Sequence, residues 1–226
     1  MQNLKLKSYH NLVIAADGSA ASGKTTGAKL IAKKYGMKFL SSGLLYRYAA
    51  YLILKNNPRN QIIFLQNKFQ KLNLYYLNKK NLHSPKISDH ASLIAKDQKI
   101  RNILKNFQKK FAKSHNKIVI EGRDIQTKIL PNADIKFFFK CKINVAAQRR
   151  YKELKKRNRY IKLADVKKAM LLRDNLDKKR KISPLTQAKN AVIVHSDKLN
   201  LKDMIAMMSK VVEDTIKKKY GTRARS

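Results

Sequence analysis

Residues 18–25 read GSAASGKT, and they match the pattern G-x-x-x-x-G-K-[ST] at every fixed position. The apolar residues 12–16 before them predict a buried strand, and residues 24–35 predict a helix. A strand, a glycine-containing loop and a helix in this order suit nucleotide phosphates, because glycine admits the phosphates close to the backbone and the helix N-terminus carries positive potential. The sequence therefore predicts a phosphate-binding loop rather than a Gly/Ser turn that only caps a helix.

Two side chains of this loop have expected roles in holding a nucleoside triphosphate. Lys24 would neutralise charge between the β- and γ-phosphates, and Thr25 would hold Mg²⁺ through its hydroxyl. Because this Mg²⁺ arrives with the nucleotide, we expect a transient ion and no permanent metal site. The residues assigned to the nucleotide are Gly18, Ser19, Ala20, Ala21, Ser22, Gly23, Lys24, Thr25 and Thr26.

Length and composition indicate one globular domain in a reducing compartment. The chain has 226 residues, of which 43% are hydrophobic, and this is enough for a sizeable core. Cys141 is the single cysteine, so a disulfide framework and a cysteine-based metal cluster are excluded. The sequence has no apolar run of about 18 residues, and residues 1–10 lack the apolar stretch of a secretory signal. We expect a cytoplasmic protein with no membrane partner.

The net charge is extreme, with 52 Lys and Arg against 14 Asp and Glu, a formal charge of +38. Such a charge is compatible with nucleic-acid binding, or with lysine enrichment spread over solvated surfaces. The basic residues are scattered and mostly Lys, without an aromatic-interleaved RNA-binding pattern. We therefore expect no specific nucleic-acid partner, although the positive field should speed the capture of anionic nucleotides.

Alternating apolar strands and helices predict an α/β fold with a parallel sheet flanked by crossover helices. Between residues 67 and 88, a polar stretch rich in Lys and Asn predicts an insertion outside the core, containing a small strand pair. The predicted strands cover 12–16, 38–40, 117–121, 134–139 and 191–194, and the predicted helices cover 24–35, 43–56, 59–69, 89–113, 143–157, 163–180 and 201–219.

Two further segments carry groups suited to anions or metal ions. Residues 41–50 read SSGLLYRYAA, in which Ser42 and Arg47 either grip a phosphate or are a helix cap and a surface arginine. The strand KIVIE ends in Glu121, at the carboxyl edge where open α/β sheets bind ligands and where P-loop proteins hold Mg²⁺ or its waters. The turn that follows consists of Gly122, Arg123 and Asp124.

Arginines are concentrated in two later segments, in a chain whose basic residues are mostly lysines. Residues 148–151 read QRRY, and residues 173–180 read RDNLDKKR. Arg173, Asp177 and Arg180 share one helical face through i,i+4 and i,i+3 spacing. In isolation this spacing is more typical of a salt-bridged surface helix, but the planar guanidinium of Arg also suits phosphates and bases.

These segments, in this order, resemble those of bacterial cytidylate kinases, a family of P-loop nucleoside monophosphate kinases. The resemblance runs over residues 12–205. It implies a single P-loop kinase domain over 1–226, with a monophosphate-binding insertion at about 60–95, a lid at about 149–163 and a frayed tail at about 217–226. The matching stretches are DGSAASGKTT with Asp17, SSGLLYR, SPKISDHASLIAKDQKIR, EGRDIQTKILPNADIKFFF, RRYKEL and RDNLDKKRKISPL.

The resemblance also implies a reaction, in which ATP and CMP or dCMP give ADP and CDP or dCDP. We expect a monomer, because nothing in the sequence suggests an obligate oligomer. The CMP phosphate would be held by Ser42, Arg47 and Arg123, the base would be read by Ser92, Arg101 and Asp124, and Arg149 and Arg150 would arrive with the closing lid. The implied catalytic residues are Lys24, Arg123, Arg149, Arg150, Arg173 and Arg180. The implied substrate-binding residues are Ser42, Arg47, Ser92, Arg101, Gly122, Arg123, Asp124, Arg173, Asp177 and Arg180.

Four positions depart from the family pattern. Ser41 and Glu121 stand where Asp is usual, His83 stands where Arg is common, and Asn158 stands where the lid often has Gly. These departures concern monophosphate binding and lid motion rather than the class of reaction. Two alternatives remain: a P-loop kinase for UMP or AMP, and a basic RNA-binding protein that uses the loop as an NTP switch.

Overall fold

The computed structural model describes residues 10–79, 82–156 and 159–221, and the chain divides into two compact units. The larger unit is Met1–Leu40 with His115–Ser226, and the smaller unit is Ser41–Ser114. The strands are β1 (Leu12–Gly18), β2 (Lys38–Ser41), β3 (Lys117–Gly122), β4 (Ile135–Lys140) and β5 (Val192–His195). The helices are α1 (Lys24–Lys34), α2 (Ser42–Asn56), α3 (Gln61–Gln70), α4 (Tyr75–Lys79), α5 (Pro85–Ile94), α6 (Gln98–Lys113), α7 (Ile143–Lys155), α8 (Leu163–Lys179) and α9 (Leu201–Tyr220).

The sheet of the larger unit has the strand order β2-β3-β1-β4-β5. β1 lies parallel to both β3 and β4, and β4 lies parallel to β5. The register pairs Asp17 at the end of β1 with Gly122 of β3 and with Phe138 of β4. The loop after β1 and the turn after β3 therefore leave the same carboxyl edge of the sheet, where ligands bind in open α/β folds.

One face of this sheet is covered by α1 and α9. Alternate residues of β1 and β4 point into this core, including Ile14, Phe137 and Phe139, because side chains alternate between the two faces of a strand. The helices contribute Ala28, Ile31 and Ala32 from α1, and Met204, Met208, Val212 and Ile216 from α9. A second, smaller cluster joins α7 and α8 through Ala146, Ala147, Val166 and Met170.

After Ser41, the described part of the smaller unit consists of five helices joined by loops. α2 packs against α3, α4, α5 and α6, and α3 also packs against α6. The side chains buried in this unit include Leu45, Ala49, Ile53, Leu65, Phe69, Ile94, Ile100 and Leu104.

All five predicted strands are confirmed, and most predicted helices agree with the structure to within two residues at each end. The prediction of one helix over 89–113 is wrong, because α5 ends at Ile94 and α6 begins at Gln98. The break is set by Asp97, whose carboxylate accepts hydrogen bonds from the backbone N–H groups of Lys99 and Ile100 and so caps a new helix.

The strand pair predicted between residues 67 and 88 is also wrong in the described part of that stretch. The stretch instead contains α4 and the start of α5. The side chain of Asn73 accepts from the N–H of Tyr75 at the start of α4, and Ser84 accepts from the N–H of Ile87 in the first turn of α5. Short polar side chains thus start helices here, rather than the turns of a hairpin.

The predicted frayed tail begins later than residue 217, because α9 continues to Tyr220. The Tyr220 hydroxyl accepts from the Asn11 N–H at 2.7 Å and donates to the Asn11 carbonyl oxygen at 2.8 Å. Lys219 forms an ion pair with Asp134 at 2.7 Å. These contacts fix the last turn of α9, and residues 222–226 lie outside the described part of the chain. Across the described ranges, no helix combines the length and the apolar character needed to cross a bilayer.

Candidate active site

The phosphate-binding loop connects the end of β1 to the first turn of α1. Gly18 has no room for a side chain, because an added Cβ would lie 2.6 Å from the carbonyl oxygen of Phe139. Gly23 has a φ of 78°, in the left-handed region that favours glycine. The first turn of α1 has no acidic residue, so its N–H groups keep their attraction for an anion. Lys24 starts this helix, and its Nζ donates to the carbonyl oxygen of Ser19 at 3.1 Å, which keeps the ammonium at the loop.

The groups expected to bind Mg²⁺ lie at the same edge of the sheet. Thr25 is half-buried in the first turn of α1, and Glu121 is buried near the end of β3. Within the described residues, no group of three or more His, Cys, Asp or Glu side chains is placed to hold a metal ion. The Thr25 hydroxyl is suited to supply one ligand to an Mg²⁺ that takes its remaining ligands from phosphates and water.

Asp17, the residue before the loop, is completely buried and fixes the turn after β3. Its two carboxylate oxygens accept hydrogen bonds from the N–H groups of Ile125 at 3.0 Å and Gln126 at 2.8 Å, in one π-helical turn, Ile125–Ile129. The side chain of Gln126 extends this anchoring, since its Nε2 donates to the carbonyl oxygen of Phe137 at 2.7 Å.

The Asp17 carboxyl has an unusual proton affinity. Burial raises its pKa from 3.8 to about 7, although the N–H groups of Gln126 and Ile125 act in the opposite direction. The negative charge of Asp124 raises the pKa further, and the positive charge of Lys24 lowers it. The pKa of Asp17 therefore depends on charges in both the phosphate-binding loop and the turn after β3.

Arg123 connects that turn to the phosphate-binding loop and to α8. Its Nη1 donates to the carbonyl oxygen of Gly18 at 2.6 Å. Its Nε lies 3.1 Å from Oδ2 of Asp177, and Nη1 lies 3.5 Å from Oδ1 of Asp174. Asp174 also accepts from the backbone N–H of Ala20 at 3.0 Å. The guanidinium is thus held in a fixed orientation by several directional contacts.

Arg180 completes this network on the side of Asp124. Its Nη1 lies 3.2 Å from Oδ1 of Asp177, and its Nη2 lies 3.9 Å from Oδ1 of Asp124. Its Nε also donates to the carbonyl oxygen of Ser183. Asp177 therefore contacts both Arg180 on its own helical face and Arg123 from the turn after β3.

Arg173 lies among the same charges. Burial lowers its pKa, the positive charges of Arg123 and Arg150 lower it too, and the carboxylates of Asp177 and Asp174 oppose them. The guanidinium remains protonated at neutral pH. Three arginines that disfavour one another's charge form a site in which an added anion, such as a phosphate, would be stabilised.

Arg149 and Arg150 face different neighbours, although they are adjacent in α7. Arg149 donates from Nη1 to the Ser196 hydroxyl at 3.2 Å and from Nη2 to the Ser196 carbonyl oxygen at 2.7 Å. The Ser196 hydroxyl in turn donates to the carbonyl oxygen of Ser22 at 2.8 Å. Arg150 forms an ion pair with Glu153 at 3.0 Å. Arg149 is therefore joined to the phosphate-binding loop through Ser196. Its arrival with a closing lid stays a prediction.

A cavity of about 240 Å³ adjoins this contact. It begins at the first turn of α1 and extends along the start of α9. It is lined by Gly23, Thr26, Arg149, Ser196, Leu199, Asn200, Leu201 and Met204. Its lining combines the apolar side chains of Leu199, Leu201 and Met204 with several polar groups and one arginine, which suits a flat, partly apolar group.

In the smaller unit, Ser41 rather than Ser42 caps α2. The Ser41 hydroxyl accepts from the N–H of Leu44 at 3.3 Å, and Ser42 is buried as the first residue of the helix. Arg47 lies one turn further on, and its Nη1 would be 3.6 Å from a Cβ added to Gly43. The guanidinium of Arg47 is therefore close to the N-terminal turn of α2, where helix geometry favours an anion.

Ser92 and Arg101 occupy neighbouring helices of this unit. The Ser92 hydroxyl donates to the carbonyl oxygen of Ser88, one turn earlier in α5. Arg101 is buried, donates to the carbonyl oxygen of Ala95 at 3.2 Å, and places its guanidinium carbon 5.7 Å from the ring centre of Tyr46. The structure thus joins Arg101 to α2 through an aromatic ring, a contact that the sequence analysis did not predict.

Asp174 and Ser196 are the residues of this site to which the sequence analysis gave no role. Asp174 lies within the arginine-rich segment, but its helical spacing does not reveal its contact with the phosphate-binding loop. Ser196 follows β5 without any motif. Of the departures from the family pattern, His83 is exposed directly before the capping Ser84. Asn158, in the predicted lid, lies outside the described residues.

Comparisons with known proteins agree with this geometry. The model of the cytidylate kinase family matches residues 14–214. Cytidylate kinase from Clostridium tetani is 32% identical over 221 residues, covering 93% of this chain and 97% of that protein. Cytidylate kinase from Thermosipho melanesiensis is 35% identical over 214 residues, covering 90% of this chain and 98% of that protein.

Solved structures add support for the fold alone. Shikimate kinase from Bacteroides thetaiotaomicron superimposes with a TM-score of 0.50 and 13% identity, covering 89% of this chain and 98% of that chain. The match of the family model over most of the chain, together with identities above 30%, decides the family. The chain belongs to the cytidylate kinase family.

Proposed function

We propose that the protein transfers the γ-phosphoryl group of ATP to CMP or dCMP and forms ADP with CDP or dCDP. The observation that carries this proposal is the position of Arg123. It contacts the Gly18 carbonyl oxygen of the phosphate-binding loop and is paired with Asp177, which also pairs with Arg180. A row of oriented cations beside a nucleotide loop is the arrangement that phosphoryl transfer between two nucleotides requires.

On the donor side, the phosphate-binding loop would hold the phosphates of MgATP. The N–H groups of the loop and Lys24 would neutralise the phosphate charge, and the hydroxyl of Thr25 would bind the Mg²⁺ that arrives with the nucleotide. The cavity of about 240 Å³ beside Arg149 and Ser196 suits the adenine ring. Arg can stack on an aromatic base there, while Leu201 and Met204 offer apolar contact.

For the acceptor, we assign Arg123, Ser42 and Arg47 to the CMP phosphate. Asp124, Arg101 and Ser92 would read the cytosine. These assignments draw support from the family match and from the charges described above. Gly122 would contribute a backbone without a side chain next to the phosphate.

The chemistry requires alignment and charge compensation rather than a covalent enzyme intermediate. Negative charge spreads over the oxygens of the transferring phosphoryl group, so Arg173, Arg180 and Arg150 would stabilise the transition state more than the ground state. Water must be kept out of the site, because it would otherwise accept the phosphoryl group in place of CMP. A lid spanning about 149–163 would supply that closure.

We also propose that the protein acts in the cytoplasm as a monomer, on small-molecule substrates and without a specific nucleic-acid partner. The single cysteine supports a reducing compartment, and the scattered lysines support the absence of a nucleic-acid site.

The test is ADP release measured with CMP, dCMP, UMP and AMP in turn, at saturating MgATP. CMP or dCMP should support turnover far above the others. Turnover with UMP or AMP at the rate of CMP would instead favour a kinase for another monophosphate. ATP hydrolysis that depends on RNA and not on CMP would favour the RNA-binding alternative.

A further inference from the structure

Asp17 is the most deeply buried carboxylate of the larger unit, and it makes no direct contact in the reaction proposed above. Its exposed fraction is 0%. A carboxylate without bulk water is costly to hold inside a protein unless hydrogen bonds compensate it. Here the compensation comes from two backbone donors, the N–H groups of Ile125 and Gln126.

The two donors directly follow the pair of residues that the proposed function assigns to CMP. Arg123 and Asp124 precede Ile125 in the chain, so the backbone held by Asp17 sets where both side chains start. Asp17 itself precedes Gly18, the first residue of the phosphate-binding loop. The carboxylate therefore connects the strand that leads to the donor phosphates with the turn that carries the acceptor contacts.

The connection is short and has directional partners at both ends. Arg123 returns to the same strand end through its contact with the Gly18 carbonyl oxygen at 2.6 Å. Gln126 fixes the far side of the turn to β4 through the Phe137 carbonyl oxygen at 2.7 Å. The turn after β3 is thereby held by β1 on one side and β4 on the other, and Asp17 supplies two of these hydrogen bonds.

We infer that Asp17 is a positioning residue for the acceptor nucleotide: its carboxylate, through the Ile125 and Gln126 N–H groups, places Arg123 on the CMP phosphate and Asp124 on the base. This inference rests on the proposed function, because it assumes that these two residues contact CMP. A neutral amide of the same shape keeps one acceptor oxygen but turns a donor toward the second N–H, so the turn must shift. A shift of about 1 Å at such a site can reduce the rate about a hundredfold.

The test is Asp17→Asn, measured at about pH 8.5, where the Asp17 carboxyl with its pKa of about 7 is ionised, by steady-state kinetics with CMP, UMP and ATP as varied substrates. We expect the KM for CMP to rise about tenfold or more and the ratio of kcat/KM for CMP over UMP to fall. The KM for ATP should stay within about twofold, because the loop still receives its donors from α1. If Asp17 only stabilised the fold, its substitution would lower Tm and the active fraction. The KM for CMP and the ratio of kcat/KM for CMP over UMP would then stay unchanged.

Asp134→Asn is the matched control. Asp134 also accepts a hydrogen bond from the backbone of β1, from the N–H of Val13 at 2.8 Å, but at the opposite end of the strand. It also pairs with Lys219 at 2.7 Å. This variant should lose stability and keep the KM for CMP.

A second route covers the case in which Asp17→Asn does not fold. Asp17→Ser keeps a small acceptor, and Gln126→Met releases the same turn from Phe137 while leaving Asp17 in place; each should raise the KM for CMP in the same direction. An unchanged KM for CMP in every folded variant would overturn the inference. If the unaltered protein turned over CMP no better than UMP or AMP, the proposed function would fail instead.

Discussion

Arg149 donates to Ser196 through both terminal nitrogens, at 3.2 Å to the hydroxyl and 2.7 Å to the carbonyl oxygen. Because the Ser196 hydroxyl also donates to the carbonyl oxygen of Ser22, α7 and the phosphate-binding loop share one serine. A substitution of Ser196 should therefore disturb two contacts beside the phosphate-binding loop, one with Arg149 and one with the Ser22 carbonyl oxygen.

We expect Ser196→Ala to raise the KM for ATP about fivefold to thirtyfold, while the KM for CMP changes little. Both Arg149 and the Ser22 carbonyl lose a partner, and an unsatisfied buried polar group costs about 1–3 kcal/mol. Steady-state kinetics with ATP as the varied substrate measure the effect.

Ser209→Ala is its control, because Ser209 on α9 is also buried and its hydroxyl accepts from Nζ of Lys34 on α1 at 2.8 Å. It should lower stability without changing either KM. Equal rises in the KM for ATP and for CMP in Ser196→Ala would contradict the assigned role.

Lys24→Ala should abolish turnover and leave the fold intact. The Lys24 side chain is half-buried and its Nζ bonds to the loop carbonyl of Ser19, so its removal opens no core cavity. The charge that develops on the phosphoryl oxygens then lacks its compensating cation, which costs a factor of at least about a hundred in kcat. Circular dichroism and ADP release measure the two effects, with Lys29→Ala on the exposed side of α1 as the control. An unfolded variant, or one with near-normal turnover, would contradict this prediction.

The phosphate-binding loop is the part of the site that the sequence predicts most directly. The phosphate-binding loop is local: its glycines, Lys24 and Thr25 act through backbone geometry that eight consecutive residues specify. The sequence predicts the five strands equally well, because buried runs such as residues 117–121 are short, mainly apolar and bounded by polar residues.

Other features depend on contacts that no local pattern contains. The apolar period continues from Ile94 to Ile100 and Leu104, so it hides the break that the Asp97 cap imposes between α5 and α6. The contact of Asp174 with Ala20 spans 154 positions, and that of Ser196 with Ser22 spans 174. Such pairings become visible only when the sheet order brings the strand ends together.

The raised pKa of Asp17 predicts a specific pH dependence of stability. Its pKa is about 7 in the folded protein against 3.8 for the unconstrained carboxyl. The folded state therefore holds a proton that the unfolded state has released, so this group's contribution to the unfolding free energy falls as pH rises through that window. The negative charge of Asp124 raises the pKa of Asp17, and the positive charge of Lys24 lowers it.

The stability difference between the unaltered protein and Asp17→Asn isolates this group, since Asn does not titrate. Between about pH 5 and 6.5, the advantage of the unaltered protein should shrink by up to about 1.4 kcal/mol per pH unit. Urea unfolding at a series of pH values measures it. A difference that stays constant over this range would show that the Asp17 carboxyl does not keep its proton in the folded state.

The formal charge of +38 predicts a salt dependence of substrate capture. Raising ionic strength should lower kcat/KM more than kcat, because screening weakens the long-range attraction of anionic nucleotides and acts less on contacts inside the closed site. Kinetics between about 20 and 300 mM KCl measure both, a range over which the Debye length falls severalfold. Equal falls in kcat and kcat/KM would mean that salt disturbs the site itself.

If Asp124 and Arg101 read the base, as proposed, their hydrogen-bond polarity predicts the base selectivity. Cytosine offers an amino donor at N4 and acceptors at N3 and O2, so Asp124 can accept from N4 while Arg101 donates to the ring. Uracil instead carries an acceptor at O4, which would face the acceptor oxygens of Asp124. Its N3 carries a proton, which would face the donor groups of Arg101. An unpaired buried polar group costs about 1–3 kcal/mol, and more when charged. The kcat/KM for CMP should therefore exceed that for UMP by about a hundredfold or more.

Two variants test this reading of the base. In Asp124→Asn, the amide can turn its N–H donors toward O4 of uracil. This variant should therefore narrow the ratio of kcat/KM for CMP over UMP, mainly by raising kcat/KM for UMP. Arg101→Met should narrow the ratio by weakening CMP, and it also loses the hydrogen bond to Ala95 and the contact with Tyr46, so its Tm should fall. Arg59→Met, an exposed change in the smaller unit, is the control and should leave the ratio unchanged. If the unaltered protein used UMP as well as CMP in kcat/KM, Asp124 and Arg101 would not be the residues that read the base.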